Sequence, residues 1–161
     1  MLGRKVAEVI REHGPDAVVA DEVVAVAHEA DLLVVNLECC ISERGERRRE
    51  PGKPFFFRAP PQATSVLRRL GADCVTLANN HALDYGVEAM LDTLAHLDAA
   101  GIAYVGGGTD VAAARAPGIL EGRVRDRCRY PGACTGWCGD AGTNSRRGTA
   151  RRPRSGPGRA G

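Results

Sequence analysis

Aromatic residues are scarce, with one Trp, three Tyr and three Phe among 161 residues. Hydrophobic residues still make up 43%, so the core must be aliphatic, built mostly from Val, Leu and Ala. No run approaches the roughly 18 apolar residues of a membrane span, so no span is expected. No apolar stretch follows the opening charges Arg4 and Lys5, so no secretory signal is visible. A cytoplasmic location is therefore expected for the chain as it stands. Gly106-Gly107-Gly108 lacks the Gly-Lys-Ser/Thr ending of a phosphate loop and reads as a turn. No Gly-x-Ser-x-Gly elbow is present, which leaves a serine hydrolase without support. The length suits one small domain.

The net charge of +2 hides a division. Residues 1–122 carry 12 Lys+Arg against 18 Asp+Glu, a net −6. Residues 123–161 carry 10 Arg against 2 Asp, a net +8. That second stretch has one large aliphatic residue, Val124, and cannot offset its ordering entropy by burial, so disorder is expected from 122 onward. Arg, Gly, Ala and Pro supply 25 of its 39 residues. Such a mixture fits a shifted reading frame in a GC-rich gene better than a basic arm for a polyanion.

The first 121 residues alternate helix and strand signals. Val6, Val9 and Ile10 predict a helix from Arg4 to His13, ended by Gly14-Pro15. Val19, Val23 and Val26 predict a second helical stripe within 17–30. Asp31 to Glu38 reads as a strand buried on both faces, as in a parallel sheet. Residues 42–54 read as a loop, with Arg47-Arg48-Arg49 as solvated surface. A helix follows Pro60-Pro61 and stops at Gly71. Asp73 to Ala78 is a strand that delivers Asn79-Asn80-His81. Val87, Met90, Leu91, Leu94 and Leu97 mark the clearest helix, ended by Gly101. Ile102 to Val105 is a third strand, Thr109 is placed to cap a short helix, and Ile119-Leu120 begins a fourth strand. This order predicts a layered α/β fold with a mostly parallel sheet.

Two strand ends carry polar clusters, Asn36/Glu38 and Asn79/Asn80/His81, with Asp84 just beyond. Sheets of this kind keep their ligands at strand C-termini. Carboxylate, amide and imidazole together suit a hard or borderline divalent cation, with His81 as proton donor. From the residues alone this signal is weak, and a plain turn explains Asn79-Asn80 better.

The run Ala78-Asn79-Asn80-His81-Ala82-Leu83-Asp84-Tyr85-Gly86 resembles the hallmark of the CapA family of poly-γ-glutamate capsule synthesis. Leu2-Gly3-Arg4, Ala30-Asp31-Leu32 through Asn36-Leu37-Glu38, Phe57-x-Ala59 and Gly106-x-Gly108 agree with it in order and spacing. The resemblance covers about residues 1–121 and implies a calcineurin-like metallophosphoesterase fold. It implies Glu38 as a metal-bridging carboxylate, Asn80 as an amide ligand and His81 as the catalytic donor. Asn79 is implied as a ligand or positioning residue, while Asp84 orients His81 or caps a turn. The implied metal is Mn, Zn or Fe, and the implied activity is metal-dependent hydrolysis of a phosphoester or amide-type bond. The implied partners are poly-γ-glutamate or another polyanion and the capsule-synthesis machinery. A membrane-associated or exported parent remains open. The family's opening Gly-Asp has no counterpart here, and no histidine follows residue 122. The chain is therefore expected to be a fragment, truncated at both ends and inactive alone. Two other readings stay open: a non-catalytic polymer-binding module, and nucleic-acid binding through the arginine tail, which has only two aromatics and ranks last.

Six cysteines do not make a scaffold. Cys39-Cys40 are adjacent and not expected to bridge each other, and Cys74 reads as a buried small hydrophobe. Cys128, Cys134 and Cys138 lack a fourth zinc ligand. His13, His28 and His96 receive no role.

Overall fold

The computed structural model describes residues 1–121 and 127–130. Three short strands, β1 (Val34–Asn36), β4 (Cys74–Thr76) and β5 (Ala103–Val105), form a parallel sheet in the order β1-β4-β5. Val34 lies opposite Cys74, and Cys74 opposite Ala103, so the three strands end level with one another. Helices α3 (Ala63–Leu70) and α4 (Gly86–Ala100) connect them, with α1 (Lys5–His13) and α2 (Asp21–Ala27) preceding the sheet. The fold is thus α/β, as the alternation of patterns predicts.

The core is aliphatic. Ile10 of α1, Val66 and Leu67 of α3, Val75 of β4 and Leu94 and Leu97 of α4 pack in one buried cluster. Gly71 and Gly101 end α3 and α4 in the left-handed conformation, where the sequence places the stops.

Several expectations are corrected. The strand read across residues 31–38 forms only at 34–36 and is a half-buried sheet edge, because β4 takes the central place. The valine stripe of 17–30 fails: a 3₁₀ turn at Pro15–Ala17 precedes α2, so Val19 lies outside the helix and loses its register with Val23 and Val26. Val19 packs on the core, whereas Val23 and Val26 are exposed. On α4, Val87 and Leu91 are 66% and 41% exposed, while Ala89, Thr93 and Leu97 are buried four residues apart. The smaller Ala89 and Thr93 let the helix approach β2 (Cys40–Ile41), where the Ile41 N–H donates to Thr93 Oγ1 at 2.8 Å. The cap of α5 (Val111–Arg115) is Asp110, which accepts from the Ala113 N–H at 2.8 Å, and not Thr109.

Strand β2 was not foreseen. It pairs in parallel with β3 (Arg58–Ala59), closing the loop read at 42–54. Strand β6 (Gly118–Glu121) pairs antiparallel with β7 (Arg127–Tyr130), so described pairing crosses the expected boundary at 121/122. The remainder of that expected tail lies outside the described residues, as do Cys134 and Cys138. Among the described residues no helix is long and apolar enough to cross a membrane.

Candidate functional site

The sheet brings its polar strand ends together. Beyond β1 and β4 the backbone stays in register, with Leu37 N–H donating to Thr76 O and Leu77 N–H to Val105 O. Gly106 closes the end of β5 against the next turn. A Cβ there would lie 2.6 Å from that of Ala78, and its φ of +77° favours glycine. The turn carrying Asn79, Asn80 and His81 is therefore wedged between β1 and β5.

Asn79 is the bridge. Its Nδ2 donates to Asn36 Oδ1 and to Leu37 O, both at 3.0 Å, and its Oδ1 accepts from the His81 N–H at 2.9 Å. Asn36 Nδ2 in turn donates to Glu38 Oε1 at 2.9 Å. One amide thus joins the two strand ends and fixes where the histidine leaves the turn.

His81 is fixed at both nitrogens. Nδ1 donates to Asp84 Oδ2 at 2.8 Å, and Nε2 accepts from Asn80 Nδ2 at 3.2 Å. A carboxylate can only accept, so Nδ1 carries the proton and Nε2 presents the lone pair. The ring lies 4.2 Å from that of Phe57, tilted by 44°. Asp84 is fully buried and also accepts from the Phe57 N–H at 2.6 Å. Its Oδ1 faces Lys53 Nζ at 2.5 Å. Lys53 is 10% exposed and also binds Asn80 O and Glu50. A buried carboxylate needs such a partner, since unpaired it carries a heavy desolvation cost.

All six candidates, Asn36, Glu38, Asn79, Asn80, His81 and Asp84, thus join one hydrogen-bonded network through Asn79 and His81. The implied metal would have to draw on this donor set. The oxygens of Asn36 and Asn79 already accept hydrogen bonds, and Glu38 is the network's carboxylate on that side. Among the described residues no group of three or more His, Cys, Asp or Glu is arranged to hold an ion. The described residues therefore do not fit a complete metal shell.

Sequence reasoning missed Lys53. It sits between Gly52 and Pro54 in a loop rich in arginine, and nothing local tells an inward lysine from an outward one. It also missed a cavity of about 270 Å³ beside the network. Leu77, Leu83, Val87, Met90 and Leu91 line it, with Lys53 and Asn80 at its polar edge. The exposed Val87 and Leu91 belong to this wall.

The cysteines take no part. Cys39, Cys40 and Cys74 are free and buried, and burial pushes the Cys39 thiol up to about 11 and that of Cys40 to about 12. All three are small buried hydrophobes, the role the sequence predicts for Cys74, and Cys39 and Cys40 do not bridge each other.

The family described as bacterial capsule synthesis protein PGA_cap matches residues 1–154. A probable polyglutamine synthesis accessory protein of Mycobacterium tuberculosis is 39% identical over 90 residues, covering 56% of this chain and 23% of that protein. The PGA biosynthesis protein CapA of Bacillus subtilis is 27% identical over 115 residues, covering 71% of this chain and 30% of that protein. The capsule biosynthesis protein CapA of Bacillus anthracis is 28% identical over 109 residues, covering 67% of this chain and 26% of that protein. The chain spans less than a third of the length of these relatives.

Proposed function

Because the chain belongs to the bacterial capsule synthesis protein PGA_cap family, we propose that it serves in the biosynthesis of a poly-γ-glutamate capsule. We further propose that the network centred on His81 is its working site. The observation that carries this reading is the fixed imidazole. Asp84 holds Nδ1 and turns Nε2 to Asn80, which with Asn79 lines a cavity at the strand ends, where α/β sheets keep their ligands. When a nucleophile displaces the Asn80 amide from Nε2, His81 takes its proton there and returns it to a leaving group, with Asp84 stabilising the imidazolium formed between. Asn79 positions the ring and Asn80 steadies Nε2. A divalent ion in the whole protein would need ligands besides Glu38 and the amides.

The test is made in the native host. The gene copy is replaced by one carrying His81→Ala, and capsule polymer is quantified at equal protein level. General acid–base work of this kind predicts a loss of about a hundredfold or more. Unchanged polymer would overturn the reading.

A further inference from the structure

Arg47 and Arg49 are exposed, as the solvated-surface reading has it, yet arginines of this face are also held against aromatic rings. Arg47 stacks over the Phe56 ring at 4.0 Å, and Arg58 over Tyr85 at 4.1 Å. Arg4 lies 5.0 Å from the centre of Phe55, and is the one non-glycine residue with positive φ, +56°, among the described residues. Such a backbone costs energy and persists only where the surroundings impose it. Arg44 and Arg69, by contrast, are already paired with carboxylates. Among the described residues no ion pair engages Arg4, Arg47 or Arg49.

Three hollows run together across this face. The first is lined by Arg4, Arg47, Pro54, Phe55, Phe56 and Tyr85. The second shares Arg47 and Phe56 with it and adds Arg48 and Arg49. The second also shares Arg48 and Glu50 with the cavity that Lys53 and Asn80 line. Beneath them Phe55 stacks on Phe57, and Phe57 packs against His81. Neighbouring hollows that share their lining residues make a trough that suits an extended chain better than a single small molecule.

We propose that this trough is the track on which an extended polycarboxylate lies, with Arg4 and Arg47 as its carboxylate anchors and the cavity edged by Lys53 and Asn80 as its end. The inference rests on the capsule reading above and adds the surface that holds the polymer. A guanidinium stacked flat on an aromatic ring keeps its N–H edges available, and those edges match a carboxylate two bonds at a time. The same stacking argues against single-stranded nucleic acid. Bases need bare aromatic faces, and here guanidinium groups lie over Phe55, Phe56 and Tyr85.

The test uses the full 161-residue chain and a fluorescent poly-γ-glutamate oligomer, read by anisotropy. Arg4→Gln with Arg47→Gln is expected to weaken binding about a hundredfold. Arg11→Gln with Arg68→Gln removes the same charge elsewhere and is expected to stay within about twofold. Phe55→Ala keeps every charge and removes the platform under Arg4, with an expected loss of about threefold. These positions are on the surface, and a melting curve confirms that each variant folds. Absence of binding by the unaltered chain overturns the proposal. So does an equal loss in the charge-matched control, an unchanged Phe55→Ala, or equal affinity for a single-stranded DNA of matched charge. The site reading stands on capsule polymer made by the His81→Ala strain, and the track on oligomer affinity, so the two failures are told apart.

Discussion

Asp84 and Asp92 are both gripped by a cation from the segment joining β2 to β3, yet the two pairs live in different media. Lys53 and Asp84 are 10% and 0% exposed, whereas Arg44 and Asp92 are 64% and 15% exposed. The inner pair is insulated from water and from salt. The outer pair borrows its strength from geometry: Arg44 binds both Asp92 oxygens, and Ser42 adds a hydrogen bond at 2.6 Å. The same loop is thus fastened twice, once where chemistry is expected and once at a wet rim. The inner fastening is therefore the one whose loss the fold cannot repair by solvation.

The largest break in that comparison is Lys53→Met. It leaves Asp84 buried with one cation fewer, and about 3–5 kcal/mol of stability should be lost. Urea unfolding reads this as a fall in midpoint at unchanged slope. A loss of under about 1 kcal/mol would put the inner pair on a level with an exposed one. Thr93→Val comes next. It strips the acceptor from the buried Ile41 N–H, between the two fastenings, and should cost about 1–3 kcal/mol in the same assay.

The outer pair sharpens the comparison through pH. Hydrogen bonds from Arg44, then Ser42, hold the Asp92 carboxyl at about 2, below its ordinary 3.8. A depressed pKa means the carboxylate's contribution is fully present above 3.8 and fades as pH falls toward about 2. Asp92→Asn should therefore lower stability at neutral pH and flatten the profile across that window, the two chains converging toward pH 2. A variant whose acid limb tracks the unaltered chain would remove Asp92 from the account.

Much of this fold is readable along the chain because its signals are local. Gly71 and Gly101 stop helices by their own backbone freedom, and Asn79-Asn80-His81 advertises polar chemistry at a strand end. What escaped depends on distant partners. Two-residue strands such as Cys40–Ile41 have no periodicity to detect, and their pairing with Arg58–Ala59 is set across the intervening loop. The buried face of α4 escaped because Ala89 and Thr93 look less apolar than Val87 and Leu91. Yet small residues are what close packing on β2 requires. Lys53 escaped because a lysine's direction is decided by the carboxylate it finds, and Asp84 lies 31 residues away. At the site, the six polar residues were legible as a group, while their hydrogen-bonded order through Asn79 was not.

The most direct measurement compares capsule polymer in two strains at equal protein level, one carrying His81→Gln and the other Arg44→Ala. The account predicts polymer nearly abolished by His81→Gln and nearly unchanged by Arg44→Ala, since one alters the inner network and the other only the rim. Equal polymer in the two strains would contradict it.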